Sequence, residues 1–248
     1  MKKAVKSILS ACGVFASSTK VQRIKEGTID EIDPLFDLIL QKAGGGESHA
    51  QLKQDVFALA MNGFKRAGFF VEFGATDGKS LSNTYTLEKD FGWSGILAEP
   101  ARMWHDALRA NRTCKIETDC VWRETGQTLA FSMANDGEFS TLSQFTGSDG
   151  HSAKRDGATT YDVTTVSLDD LLIKHEAPDV IDYLSIDTEG SEFEILNAFD
   201  FSAHRFNCIT VEHNGTAARD QIRALLEGKG YRRAFTYLSK WDDWYVPA

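Results

Sequence analysis

Acidic side chains in this chain gather where apolar runs end, the place at which buried strands meet a ligand. In VEFGATDG (71–78), Glu72 lies inside the run and Asp77 in the glycine turn that follows. The run 96–98 ends in Glu99-Pro100, the run 181–186 in Asp187-Thr188-Glu189-Gly190, and the run 207–211 in Glu212-His213-Asn214. A strand, a glycine turn and a helix start form the cradle on which nucleotide-like cofactors sit. A pyrophosphate is a poor guest for this one. Two unit charges ~4 Å apart interact by roughly 4 kcal/mol at an effective dielectric of ~20, and an Asp beside a phosphate repels by that order. Acids suit a ligand that is cationic at this end, and S-adenosylmethionine, with its α-ammonium and sulfonium, is such a ligand. Glu99 stands 21 positions after Gly78, close to the ~20 expected when a carboxylate accepts ribose hydroxyls. Asp119, where a third strand leaves the sheet, is either an acceptor for an adenine amino group or a plain turn residue.

These residues need elements to hold them. Residues 68–73 are rich in apolar, strand-forming side chains and read as a strand buried on both faces. Gly74 ends it, Gly78 closes the turn, and a helix is expected from about Leu81 to Asp90. The runs 96–98, 115–118, 181–186 and 207–211 read as further strands, with helices over 103–110, 168–173, up to 196 and 217–227. Ser167 is placed to cap the second of these, with Asp170 three positions on. Residues 231–237 and 241–246 read as a terminal hairpin. The alternation predicts an α/β protein with a doubly wound, mostly parallel sheet. Residues 124–160 are the least regular: 128–133 reads as a strand, Asn135-Asp136-Gly137 as a turn and 147–157 as a polar loop, with His151 solvated. Loops over the sheet edge are expected to carry substrate selectivity. Residues 163–166 alternate like a further strand. Residues 1–46 read as a helical appendage and 47–248 as the main domain. Asp33-Pro34 starts a helix, Gly44-Gly45-Gly46 stops it as a hinge, and Ser48 is placed to cap a second helix. That helix carries one apolar face of Leu52, Val56, Leu59, Ala60 and Phe64.

The chain has 248 residues, 42% hydrophobic and 25% charged, enough for one substantial core. A formal charge of −9 argues against a nucleic-acid or anionic-membrane partner, which would need a basic face. Cys12, Cys114, Cys120 and Cys208 form no CxxC pair and no zinc spacing; they read as buried thiols in a reducing compartment. No run reaches the ~18 apolar residues of a membrane span. The start, MKKAVKSILSACGVFASS, has a basic end and a short apolar stretch. A signal peptide interrupted by Lys6 and an amphipathic helix both account for it. The expected compartment is the cytoplasm, where adenosylmethionine is made.

VEFGATDG, then Ser82-Asn83-Thr84, GWSGILAEP (92–100), VSLDDLL (166–172) and IDYLSIDTEGSEFEIL (181–196) together resemble the FkbM-type methyltransferases over residues 54–246. The resemblance implies a Rossmann-like class I methyltransferase fold, a seven-stranded sheet with an antiparallel C-terminal hairpin strand. It also implies O-methylation, commonly of sugar or polyketide hydroxyls, so the acceptor is a small molecule or glycan. Many relatives carry Asn where this chain has Asp77 and Asp where it has Glu72. Carried over, Glu72, Gly74, Ala75, Asp77 and Gly78 hold the methionyl part, with Asn83 near its carboxylate. Glu99 takes the ribose, Asp119 the adenine end, and Asp187 lies beside the methyl group.

Transfer to an alcohol requires loss of a proton, so a base or a metal helps. Asp187 and Glu212 together suit Mg²⁺, in a partial likeness to the catechol enzymes. His213 is a fallback base, since its unperturbed pKa lies near working pH, or else a histidine satisfied by its neighbours. Glu189 is placed to satisfy backbone N–H groups at the next helix start. Two other readings stay open: an NAD-dependent oxidoreductase or epimerase on a similar sheet, which Asp77 opposes, and a non-catalytic relative that binds a glycan or a protein.

Overall fold

The computed structural model describes residues 33–147 and 150–248. The leader-like start and the first part of the appendage lie outside them.

The centre of the molecule is β1 (Phe69–Phe73). Its side chains alternate between the two faces of the sheet. Phe70 joins one core with Phe57, Trp93 and Trp244. Val71 and Phe73 join another with Leu184, Ile186 and Leu196. A strand covered on both faces has to be apolar at nearly every position, which is why FFVEF carries a single charge. Burying each of these large side chains is worth about 1.5–3 kcal/mol.

β1 is flanked by β2 (Ser94–Ala98) and β9 (Tyr183–Ile186), with β3 (Lys115–Glu117) beyond β2 and β11 (Ile209–Glu212) beyond β9, all parallel. β13 (Asp242–Pro247) runs antiparallel to β11 and to its other neighbour, β12 (Tyr231–Ala234). The order is β12-β13-β11-β9-β1-β2-β3. Glu72, Ser185 and Thr210 stand side by side in register across β1, β9 and β11, a polar row on an otherwise apolar face.

Helices pack on both faces: α1 (Asp33–Lys42), α2 (Gln54–Met61), α3 (Tyr85–Phe91), α4 (His105–Asn111), α5 (Leu168–Lys174), α6 (Glu192–Ala198) and α7 (Ala218–Gly228). Among the described residues no helix is long and apolar enough to cross a membrane. Ser167 caps α5, its Oγ accepting the Asp170 N–H at 3.1 Å. Ile39 and Leu40 of α1 are buried in the same core as Val56 and Phe91.

Three local expectations are corrected. α2 is buried all along Gln54–Leu59 and has no single apolar stripe. Its N-cap position is Lys53, while Ser48 Oγ instead donates to the buried Asp55 carboxylate at 2.7 Å. The helix after the glycine turn starts at Tyr85, not Leu81, because Ser82, Asn83 and Thr84 bond Glu72 from a loop.

The segment read as irregular builds a second sheet. β4 (Cys120–Trp122), β7 (Thr159–Ser167), β5 (Thr128–Met133) and β6 (Thr141–Leu142) pair in that order, β4 with β7 parallel and the rest antiparallel. They enclose a small core of Ala101, Trp122, Phe131, Leu142 and Val163. A short parallel pair, β8 (Val180–Ile181) with β10 (Arg205–Phe206), completes the strands. Cys114, Cys120 and Cys208 are free thiols.

Candidate active site

The carboxyl ends of β1, β2, β9 and β11 open into one cavity of about 400 Å³, roofed by Phe131, Phe139 and Leu142 of the second-sheet region. Glu72 is its most tightly held acid. Asn83 N–H donates to its Oε1 at 2.7 Å, and Ser82 Oγ and Thr84 Oγ1 donate to the same carboxylate. Arg112 supports this loop from behind, donating to the Gly78 carbonyl at 3.0 Å and to Thr84 Oγ1 at 2.9 Å. Its guanidinium lies 3.8 Å from Glu72 and 2.7 Å from Glu88. Burial pushes the Glu72 carboxyl up, and Arg112 opposes it. Burial acts on Glu88 too, but Arg112 outweighs it and holds that group down at about 2.

Glu99 accepts the N–H groups of Thr76 at 2.8 Å and Ala101 at 2.7 Å. Burial still pushes it up to about 7. It therefore sits fixed at the end of β2, facing the cavity.

Asp187, Glu189 and Glu212 converge, each offering an oxygen within 4.8 Å of the others. Burial and the neighbouring Asp187 push Glu212 far up, while Asp187, raised mainly by burial, comes to about 6. Like-charged carboxyls this close cannot both ionise cheaply, so each raises the cost of ionising the other and the two titrate as a pair. Asn214 Nδ2 donates to Glu212 at 2.9 Å, and Arg155, from the loop between β6 and β7, pairs with Glu189 at 3.0 Å.

Other expected residues lie elsewhere. Asp77 turns back on its own loop and accepts the N–H groups of Lys79 and Ser80. Asp77, Ala75 and Gly78 shape the turn from outside the cavity wall. Asp119 is partly exposed, 3.9 Å from Lys174, and Cys120 and Val121 line the wall beside it. His213 lines a smaller hollow of about 230 Å³ behind the site. Its Nδ1 accepts the Gly215 N–H at 2.9 Å, its Nε2 is 3.9 Å from Asp243, and burial lowers its pKa.

Two expectations are corrected. Glu192, not Glu189, satisfies the N–H groups of Thr188 and Gly190. His151 lines the cavity, stacked on Phe139 with ring centroids 4.7 Å apart, and is not a solvated loop residue. The sequence reading also missed Arg112, Gln54 and Asp242. A buried Arg at a helix end leaves no pattern, and Gln54 and Asp242 meet across 188 positions.

The residues fit an adenosylmethionine-like guest. Asn83 Oδ1 is buried at the cavity wall without a hydrogen-bond partner, beside Glu72; a cationic donor would satisfy both. The cavity also falls in the size range of cofactor sites.

A doubly wound sheet with one reversed strand near its end, and with acids along its carboxyl edge, defines a Rossmann-like class I methyltransferase domain. More narrowly, the chain belongs to the methyltransferase FkbM domain family, whose sequence model matches residues 72–233. No curated protein matches it. Among solved structures it is similar to a methyltransferase FkbM from Methylobacillus flagellatus, at 11% identity and TM-score 0.45, over 98% of this chain and 59% of that one. It thus spans less than two thirds of that relative's length. A precorrin-6y C5,15-methyltransferase from Geobacter metallireducens is similar at 10% identity and TM-score 0.42, over 77% of this chain and 85% of that one.

Proposed function

We propose that this protein transfers the methyl group of S-adenosylmethionine to a hydroxyl oxygen of a small-molecule or glycan acceptor in the cytoplasm. The observation that carries the reading is the convergence of Asp187 and Glu212 at the cavity wall of a chain from a methyltransferase family. Glu72 and Asn83 hold the methionyl ammonium, and Gly74, Ala75, Asp77 and Gly78 shape the turn beneath it. Glu99 accepts the ribose hydroxyls, and the adenine end lies against Cys120 and Val121, with Asp119 behind that wall. When bound, the cofactor supplies an electrophilic methyl carbon on a sulfonium. Asp187, ionised above about pH 6, takes the acceptor's hydroxyl proton. Glu212 keeps its own proton and orients Asp187. Holding the acceptor in line supplies about 7–11 kcal/mol of the barrier.

A second reading places Mg²⁺ on Asp187 and Glu212. The convergence of these two with Glu189 favours it, and the cation would offset the repulsion between the carboxylates. Unchanged turnover in EDTA excludes it. Calorimetry with S-adenosylmethionine and with NAD tests the cofactor: binding of NAD alone sinks the proposal, while adenosylhomocysteine found by mass spectrometry on the purified protein supports it.

A further inference from the structure

The family match runs from residue 72 to residue 233, yet the cavity wall continues on both sides of it. Gln51 and Gln54 precede the match, Trp241 and Asp242 follow it, and all four line the cavity. Gln54 opens α2 and Asp242 opens β13. Gln54 Nε2 donates to Asp242 Oδ2 at 2.8 Å, while its Oε1 accepts the Leu52 N–H at 2.8 Å. A backbone N–H can only donate, so the amide has one orientation and the carboxyl is aimed by it. Both residues are buried, at 3% and 5% exposure. β13 pairs with β11 so that Asp242 stands directly opposite Glu212. Its neighbour Trp241 is anchored through its carbonyl, which accepts the N–H groups of His213 and Asn214, and its side chain is 37% exposed.

The geometry points to an acceptor subsite formed by Trp241, Asp242 and Gln54, which takes a polyhydroxylated ring without negative charge beside the Asp187–Glu212 pair. This rests on the methyltransferase reading above. The indole gives a flat apolar surface for a ring, and Asp242 receives a hydroxyl next to it. Gln51 and Asn214 add further polar groups to the wall, more than a single phenolic hydroxyl would use. Charge selects against anionic acceptors. Among the described residues no Lys or Arg lines the cavity, whereas Glu72, Glu99, Asp187, Glu189, Glu212 and Asp242 do. Each ionised one ~4 Å from a phosphate would cost roughly 4 kcal/mol at an effective dielectric of ~20. Lys240 stands over the Trp241 ring, 5.1 Å from its centroid, but does not line the cavity.

The test is saturation-transfer NMR on the full chain saturated with S-adenosylhomocysteine. The probes are methyl α-glucoside, methyl α-mannoside and methyl α-galactoside, then the matching sugar 1-phosphates. Saturation of a neutral glycoside is expected, with Kd rising at least tenfold in Trp241→Ala and in Asp242→Asn while the Kd for S-adenosylhomocysteine changes less than twofold. Trp241→Phe should restore most of the affinity. The subsite is overturned if S-adenosylhomocysteine binds but no neutral glycoside does, if a sugar 1-phosphate binds better, or if the variants bind glycoside as the parent does. If S-adenosylhomocysteine itself fails to bind, the cofactor reading falls and the subsite falls with it.

Discussion

Gly74 and Asp187 interlock: a Cβ placed on Gly74 would lie 1.9 Å from the Asp187 carbonyl oxygen. The glycine turn after β1 and the acidic end of β9 therefore touch directly, which sets the distance between the cofactor cradle and the proposed base. Gly74 also has φ +75°, a conformation that side chains resist. Gly74→Ala should lower stability by about 1–3 kcal/mol or more. Gly92→Ala, at φ +67° with nothing within 4 Å, should cost only about 1 kcal/mol. Denaturant unfolding of the two variants checks the contrast; equal costs would refute the contact.

Asp187→Asn should reduce methyl transfer by about 10²–10⁴-fold, the usual weight of a positioned base, with the unfolding transition unchanged. In the parent protein the rate should rise with pH and level off above about 6, where Asp187 ionises. Full activity in the variant would remove Asp187 from the mechanism.

Arg112→Met should leave the buried Glu72 carboxylate without its cation and Glu88 with only Lys89, 3.0 Å away. Breaking a buried pair in this way costs about 3–5 kcal/mol. Because Arg112 also bonds the Gly78 carbonyl and Thr84, the variant should bind S-adenosylmethionine more weakly in calorimetry. A variant with parental stability and affinity would show that the clamp is dispensable.

Stability should fall between about pH 4 and pH 7. Glu99 and Asp242 are each raised by burial to about 7, from 4.5 and 3.8. Between those values the folded chain holds protons that the unfolded chain has lost, so raising the pH favours unfolding until both ionise in the fold too. Glu88 acts in the opposite sense. Its group is lowered to about 2, and its contribution is lost only as pH falls from about 4.5 toward 2. Tm should thus be higher at pH 5.5 than at pH 8, and Glu99→Gln should shrink the difference. An identical pH dependence in that variant would rule Glu99 out as the source.

Legibility followed burial. β1, β2, β9 and β11 are covered on both faces, so each reads as an apolar run, and an acid at its end is conspicuous. β7 is different. In Thr159–Ser167 only Val163, Thr165 and Val166 are buried, so only 163–166 reads as strand, and its partner β5 reads as the strand 128–133. That the two pair with 120–122 and 141–142 into a second sheet is set by contacts across the chain and was not legible. The helix start was misplaced because Ser82 and Thr84, good helix-start residues by type, are used up by Glu72.

By itself the sequence determined the sheet's central strands, the acids along their ends and the family they belong to, because local apolar patterning and short motifs encode those. Only the tertiary structure decided which acids converge, that Arg112 clamps Glu72, and that Gln54 meets Asp242. These depend on strand register and on contacts between residues far apart in the chain, where one side chain's state is set by neighbours that no local pattern names.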